Sequence, residues 1–168
     1  MAIPDFILEL REHIGHRMLW LPSVSAVVFD HSEQNILLAQ RADNGAWAVI
    51  SGVLEPGEHP GPAIQREIKE EAGIDVALLG LSSVDVSPEV VHANGDQCQY
   101  LDLCFAARAV GGVPHLADDE NIAIDWFSPL NLPAGLTDTS RRRIERAITH
   151  RKQQAAGLEN AGAPWFRR

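Results

Sequence analysis

The run Gly52-Val-Leu-Glu55-Pro-Gly-Glu58-His-Pro-Gly-Pro62-Ala-Ile-Gln-Arg66-Glu67-Ile68-Lys-Glu70-Glu71-Ala72-Gly73-Ile74 divides into a Gly/Pro-rich loop and a helix. Gly52 permits close backbone approach, Pro56-Gly57 makes a turn, and Glu58 stands shortly before the helix. Pro62 suits the first helical turn, where its missing N–H costs nothing, and Gly73 supplies the stop after Ala72. At about 100° per residue, Glu67, Glu70 and Glu71 fall within roughly a quarter to a third of the circumference. Ile64, Ile68 and Ala72 form the adjacent apolar stripe. Carboxylates spaced i, i+3 and i+4 repel, each pair costing about 0.2–0.5 kcal/mol in an isolated helix, and Arg66 relieves only part of that. A divalent cation reverses the sign of the whole arrangement. Hard oxygen ligands suit Mg²⁺, which takes a few carboxylates plus substrate phosphate. The plain alternative is a solvated acidic face. Against it, the preceding turn brings backbone and a further carboxylate onto the same face, as a metal–phosphate cluster needs. These residues alone leave Ca²⁺ binding and phosphoryl chemistry both open.

Outward from this run, apolar spacing predicts an amphipathic helix over residues 3–19, through Phe6, Ile7, Leu10, Ile14 and Met18. Val24–Phe29 and Asn35–Gln40 read as strands joined by a polar hairpin, and 46–54 as another short strand. Val76–Val86, Gln99–Ala109 and Ile122–Phe127 follow as strands. Leu101, Leu103 and Phe105 share one face of the second of these; Tyr100, Asp102 and Cys104 share the other. Ser140 to about Gln154 is a basic helix with Ile144 and Ile148 on one side. The absence of regular βαβ alternation favours a mixed-sheet sandwich over a doubly wound fold.

The 168 residues fit one domain, and 45% hydrophobic residues can bury a core. With 14 Lys plus Arg against 23 Asp plus Glu, the net charge of −9 excludes a generic nucleic-acid coat. No apolar stretch approaches the ~20 residues of a membrane span. Met1-Ala-Ile-Pro-Asp5 shows no basic and then apolar leader, so a cytoplasmic protein is expected. Cys98 and Cys104 on one strand would lie about 20 Å apart, beyond disulfide reach.

Gly52-x5-Glu58-x7-Arg66-Glu67-Ile68-x-Glu70-Glu71-x-Gly73-Ile74 resembles the signature of the Nudix hydrolase superfamily, matching at every defined position. The resemblance implies an α/β (α+β) fold: an α/β/α sandwich with a mixed β-sheet and a loop–helix–loop catalytic element. It implies cleavage of a diphosphate linked to another moiety, with Mg²⁺ or Mn²⁺. Carried over, Glu67, Glu70 and Glu71 are the principal metal ligands. Arg66 orients a catalytic glutamate, and Glu58 assists by charge and hydrogen bonds. The carbonyl of Ser51 joins the metal shell where many relatives have glycine. Glu120, six residues before Trp126, matches a further glutamate that many relatives carry beyond the motif. Either Glu67 or a glutamate on a mobile loop takes the proton of the attacking water. The domain is expected over 21–155 including the C-terminal helix, after an N-terminal helical extension (1–20) and before a flexible tail (156–168).

Outside the motif, Arg41 at a strand end meets a phosphate or ribose, or is simply exposed. Trp47 stacks on a base or packs in the core. Tyr100 belongs to a polar group with His92, Asn94 and Asp96 that borders the cleft, or the hairpin Asn94-Gly95 explains that group. Arg141, Arg142, Arg143 and Arg146 read as solvating the last helix rather than binding a polyanion. The expected substrate is a small nucleoside diphosphate derivative such as ADP-ribose, a nucleotide sugar or a (d)NTP. Pro88, fourteen residues beyond Ile74, hints at ADP-ribose. No membrane partner is expected; the oligomeric state is not legible in the sequence, although a homodimer is common in the family it resembles and the N-terminal helix offers an interface for one. The rival readings are a non-catalytic nucleotide-sensing module on the same fold and an isoprenoid diphosphate isomerase. The first usually loses the glutamates retained here; the second needs a catalytic cysteine, and Cys98 and Cys104 come late in the chain.

Overall fold

The structure is a computed structural model that describes residues 3–158 and 162–167. In chain order its elements are α1 (Asp5–Ile14), β1 (Leu19–Phe29), β2 (Ile36–Arg41), β3 (Trp47–Ala48) and β4 (Ile50–Val53). Then come α2 (Pro60–Ala72), β5 (Asp75–Val86), β6 (Val90–Val91), β7 (Gln97–Gly111), β8 (Asn121–Phe127), α3 (Asp138–Ala155) and β9 (Trp165–Phe166). One mixed sheet runs β3-β2-β1-β7-β5-β9, with β4 on β1, β6 on β7 and β8 on β2. At its centre β1 and β7 are parallel from Leu19↔Cys98 to Phe29↔Arg108. The β5–β7 and β2–β8 pairs are antiparallel.

Strand period decides which residues meet which helix. Val24, Ala26 and Val28 of β1 pack with Ile64, Ile68 and Ala72 of α2. Val27 and Phe29 pack with Ile144 and Ala147 of α3 on the opposite face. The sheet therefore lies between two helical layers, as expected. A smaller cluster of Ile7, Leu21, Val53 and Cys98 seats α1.

Several boundaries differ from the sequence reading, each for a local reason. The first helix stops at Ile14, because Gly15 takes φ 59° and Arg11 donates to the carbonyls of Gly15 and Arg17. Met18 lies outside it, beside a β1 that already pairs at Leu19. The single strand expected over 46–54 is two, since the chain crosses from β2 to β1 at Val49, whose buried N–H donates to Ser140 Oγ at 3.1 Å. Pro62 is in the first turn of α2, which begins two residues earlier at Pro60. Within the stretch expected as a flexible tail, Trp165–Phe166 pair with Ser83–Val84, and Arg146 stacks on the Trp165 ring at 3.3 Å. The remaining parts of the terminal expectations at 1–2, 159–161 and 168 lie outside the described residues.

Candidate active site

Strand β4 leads into the turn at Glu55–Glu58, where Glu58 N–H donates to the Glu55 carbonyl at 3.0 Å. Helix α2 then runs back along the sheet, held there by three side chains with no exposure: Ile64, Ile68 and Ala72. Its C-terminus is closed by Gly73 in the left-handed region at φ 70°. This path lays Glu67 directly over Gly52. A Cβ there would overlap the Glu67 carboxyl group, so the glycine makes room for the glutamate.

Arg66 organises the acids around it. It donates to both oxygens of Glu58, at 3.0 and 3.2 Å, and to Glu70 Oε2 at 2.9 Å, with Glu67 Oε1 at 3.1 Å. The guanidinium holds the Glu58 carboxyl below the usual range. Burial, aided by the charges of Glu70 and Glu120 and opposed by Arg66, pushes Glu67 up. Glu71 is pushed to about 8, first by burial, then by the charges of Glu120, Glu67 and Asp118, against a hydrogen bond from Asn121.

The glutamates expected together separate by face. Glu67 and Glu71, one turn apart, face inward; Glu70 turns outward to Arg66 with its side chain 56% exposed. A cavity of about 320 Å³ opens beside Glu71. Ser51, Glu120 and Arg41 line it, and so do Asp43, Asp119 and Asn121. Arg41 is held by Asp43, Nε to Oδ1 at 2.9 Å and Nη2 to Oδ2 at 2.6 Å, which raises its pKa. The Ala42 N–H donates to the Glu120 carbonyl at 2.9 Å and so ties the loop after Arg41 to that of Glu120.

Two expected substrate contacts lie elsewhere. Trp47 points to the α3 side of the sheet, its ring edge-on to Phe127 at 4.8 Å, while its neighbour Ala48 lines the cavity. Tyr100 packs against the cluster that seats α1, with its hydroxyl 2.9 Å from His92 Nε2. Pro88 is exposed between β5 and β6. Cys98 and Cys104 are buried away from the cavity lining, and burial raises the Cys104 thiol.

Asn121 escaped the sequence reading, although it follows Glu120 directly. The cue lay in the register of β8, which local alternation does not reveal. Asp43 escaped because a loop carboxylate two residues after an arginine reads as solvated surface.

The donor chemistry fits a hard divalent cation: the carboxylates of Asp43, Glu71, Asp119 and Glu120 line one cavity with Ser51. Among the described residues no three such side chains are already drawn together as a ligand group, and Glu70 is engaged by Arg66.

A mixed sheet between helices, with a loop–helix that turns Glu67 and Glu71 inward and sets Glu71 beside a cavity, defines the Nudix class of fold. The sequence profile of the NUDIX domain matches residues 19–147, and the chain belongs to that family. It is 30% identical over 139 residues to the 8-oxo-dGDP phosphatase NUDT18 of Mus musculus, covering 79% of this chain but 38% of that protein's length. It is 34% identical over 126 residues to a MutT-like protein of Streptomyces ambofaciens, covering 75% of each. The crystal structure of a MutT NUDIX hydrolase from Burkholderia pseudomallei superposes with a TM-score of 0.63 at 27% identity, over 76% of this chain and 98% of that one.

Proposed function

We propose that this chain is a divalent-metal-dependent hydrolase that cleaves the diphosphate bond of a nucleoside diphosphate derivative. The observation that carries it is Glu67 and Glu71 gathered on one inward face, Glu67 over Gly52 and Glu71 beside a cavity shared with Ser51 and Glu120. Like charges collected under burial are unfavourable until a cation joins them, as the raised pKa values of both glutamates record. Glu67, Glu71, the Ser51 carbonyl and Glu120 would hold the metal. Glu70 would add a further carboxylate to them if released from Arg66. When bound, Mg²⁺ or Mn²⁺ neutralises diphosphate oxygens and acidifies a water.

The chain's own groups do the rest. Glu67 takes the proton of the attacking water. Arg66 orients Glu67 and is itself fixed by Glu58. Arg41, aimed by Asp43, meets a phosphate oxygen as charge develops on the leaving group. The name of the mouse relative supports a nucleotide substrate.

No described helix is long and apolar enough to cross a membrane. Self-association through α1 is supported by its exposed Leu8 and Leu10. The domain limits remain those proposed above, 21–155.

The test is phosphate release, after phosphatase coupling, from ADP-ribose, nucleotide sugars, dinucleoside polyphosphates and dNTPs, with Mg²⁺ or with EDTA. Metal-dependent turnover of at least one is expected. Tight nucleotide binding with no turnover of any would favour the sensing module instead.

A further inference from the structure

Strand β8 sends Ile124 and Trp126 toward α2. Strict alternation along β8 would put Ile122 on that face and turn Asn121 away from it. The register slips instead: Gln40 pairs with Ala123 and Arg41 with Asn121, so Ile122 is the extra residue of a bulge and is 57% exposed. The bulge thus exposes an isoleucine and buries an amide, the reverse of what packing alone selects. The buried amide has one carboxylate partner. Asn121 Nδ2 donates to Glu71 Oε2 at 2.8 Å, with the two residues 6% and 7% exposed.

Resting on the reading of Glu71 as a cation ligand, we propose that Asn121 is a positioning residue that fixes the rotation of the Glu71 carboxylate. It occupies Oε2 and leaves Oε1 for the metal. Both residues line the cavity beside Glu120. A free carboxylate on a helix samples several rotamers; one oxygen tethered to a strand does not. Such outer hydrogen bonds to a ligand are worth about 10–100-fold in metal affinity.

The test titrates Mn²⁺ alone into the metal-free protein, with free Mn²⁺ read by electron paramagnetic resonance. Asn121→Leu is expected to weaken binding roughly 10–100-fold. In a Glu71→Gln background, where binding is already weak, Asn121→Leu should add nothing. Melting in EDTA is measured beside each titration, since a purely structural amide would lower the melting temperature and leave Mn²⁺ affinity unmoved. If Asn121→Leu does not fold, Asn121→Ser reads the same quantity. Affinity within about twofold of wild type, or an equal loss in the Glu71→Gln background, overturns the proposal. Undiminished binding by Glu71→Gln alone overturns the metal-ligand reading of Glu71 beneath it as well.

Discussion

At Gly52 a methyl group would have to displace the carboxyl end of Glu67, a flexible terminus that can swing away. Gly52→Ala is therefore expected to leave the melting temperature within a few degrees of wild type while lowering kcat by about tenfold or more, a partial loss of the ~100-fold or greater contribution of a positioned acid–base group. Kinetics and calorimetry on the same preparation check it. Glu71 shows the opposite balance. Its folded pKa of about 8 lies above its ordinary value of 4.5. Its stability contribution is therefore complete below about 4.5 and is lost as pH rises through about 8. In EDTA, wild type should lose more melting temperature between pH 6 and 9 than Glu71→Gln, which has no proton to shed. Parallel curves would remove burial as the cause of the shift.

At the scale of elements, α2 ends where the chain must turn over the β7–β8 loop. The backbone N–H groups of His115 and Ala117 donate to the carbonyls of Ala72 and Glu71, at 3.2 and 3.3 Å, and the His115 ring covers Gly73. A Cβ at Gly73 meets both the left-handed backbone and that ring. Gly73→Ala should cost about 1–2 kcal/mol from backbone strain alone, at roughly 2–4 °C per kcal/mol for a chain of this size, as thermal melts would show. Most elements were legible because their signals are local. The apolar stripe at Ile64, Ile68 and Ala72, the stop at Gly73 and the alternation through Leu103 and Cys104 each need only a few neighbours. The split between β3 and β4 depends on Ser140 from far along the chain, and the bulge that turns Asn121 inward depends on which residue faces Arg41. Neither is written in one segment. The site residues divide in a similar way: helical spacing singled out the motif glutamates, the family resemblance implied Ser51 and Glu120, and Arg41 stood out at a strand end, whereas Trp47 had two faces to choose from and took the one against Phe127.

Across the whole molecule, α3 is joined to the sheet by charge as well as by Ile144 and Ala147. Asp85 and Asp102 stand opposite each other on β5 and β7. Arg146 meets the first at 2.6 Å and Arg143 the buried second at 2.8 Å, where Ser25 Oγ also donates at 2.9 Å. Two arginines expected to solvate the helix thus neutralise an acidic cross-strand pair. Leaving Asp102 buried without its partner should cost about 3 kcal/mol in Arg143→Ala. Arg141→Ala, at an exposed position, should stay within about 0.5 kcal/mol. Urea titrations of the two variants compare them, and equal losses would assign the stability of α3 to its apolar face alone.

The proposed activity rests on Glu67 and Glu71, and one comparison tests it without intermediaries. With Mg²⁺ and a substrate that wild type turns over, kcat is measured for folded Glu67→Gln/Glu71→Gln. A fall of at least ~100-fold, the lower end of what positioned acid–base groups contribute, is the expected result. Turnover at the wild-type rate would contradict it.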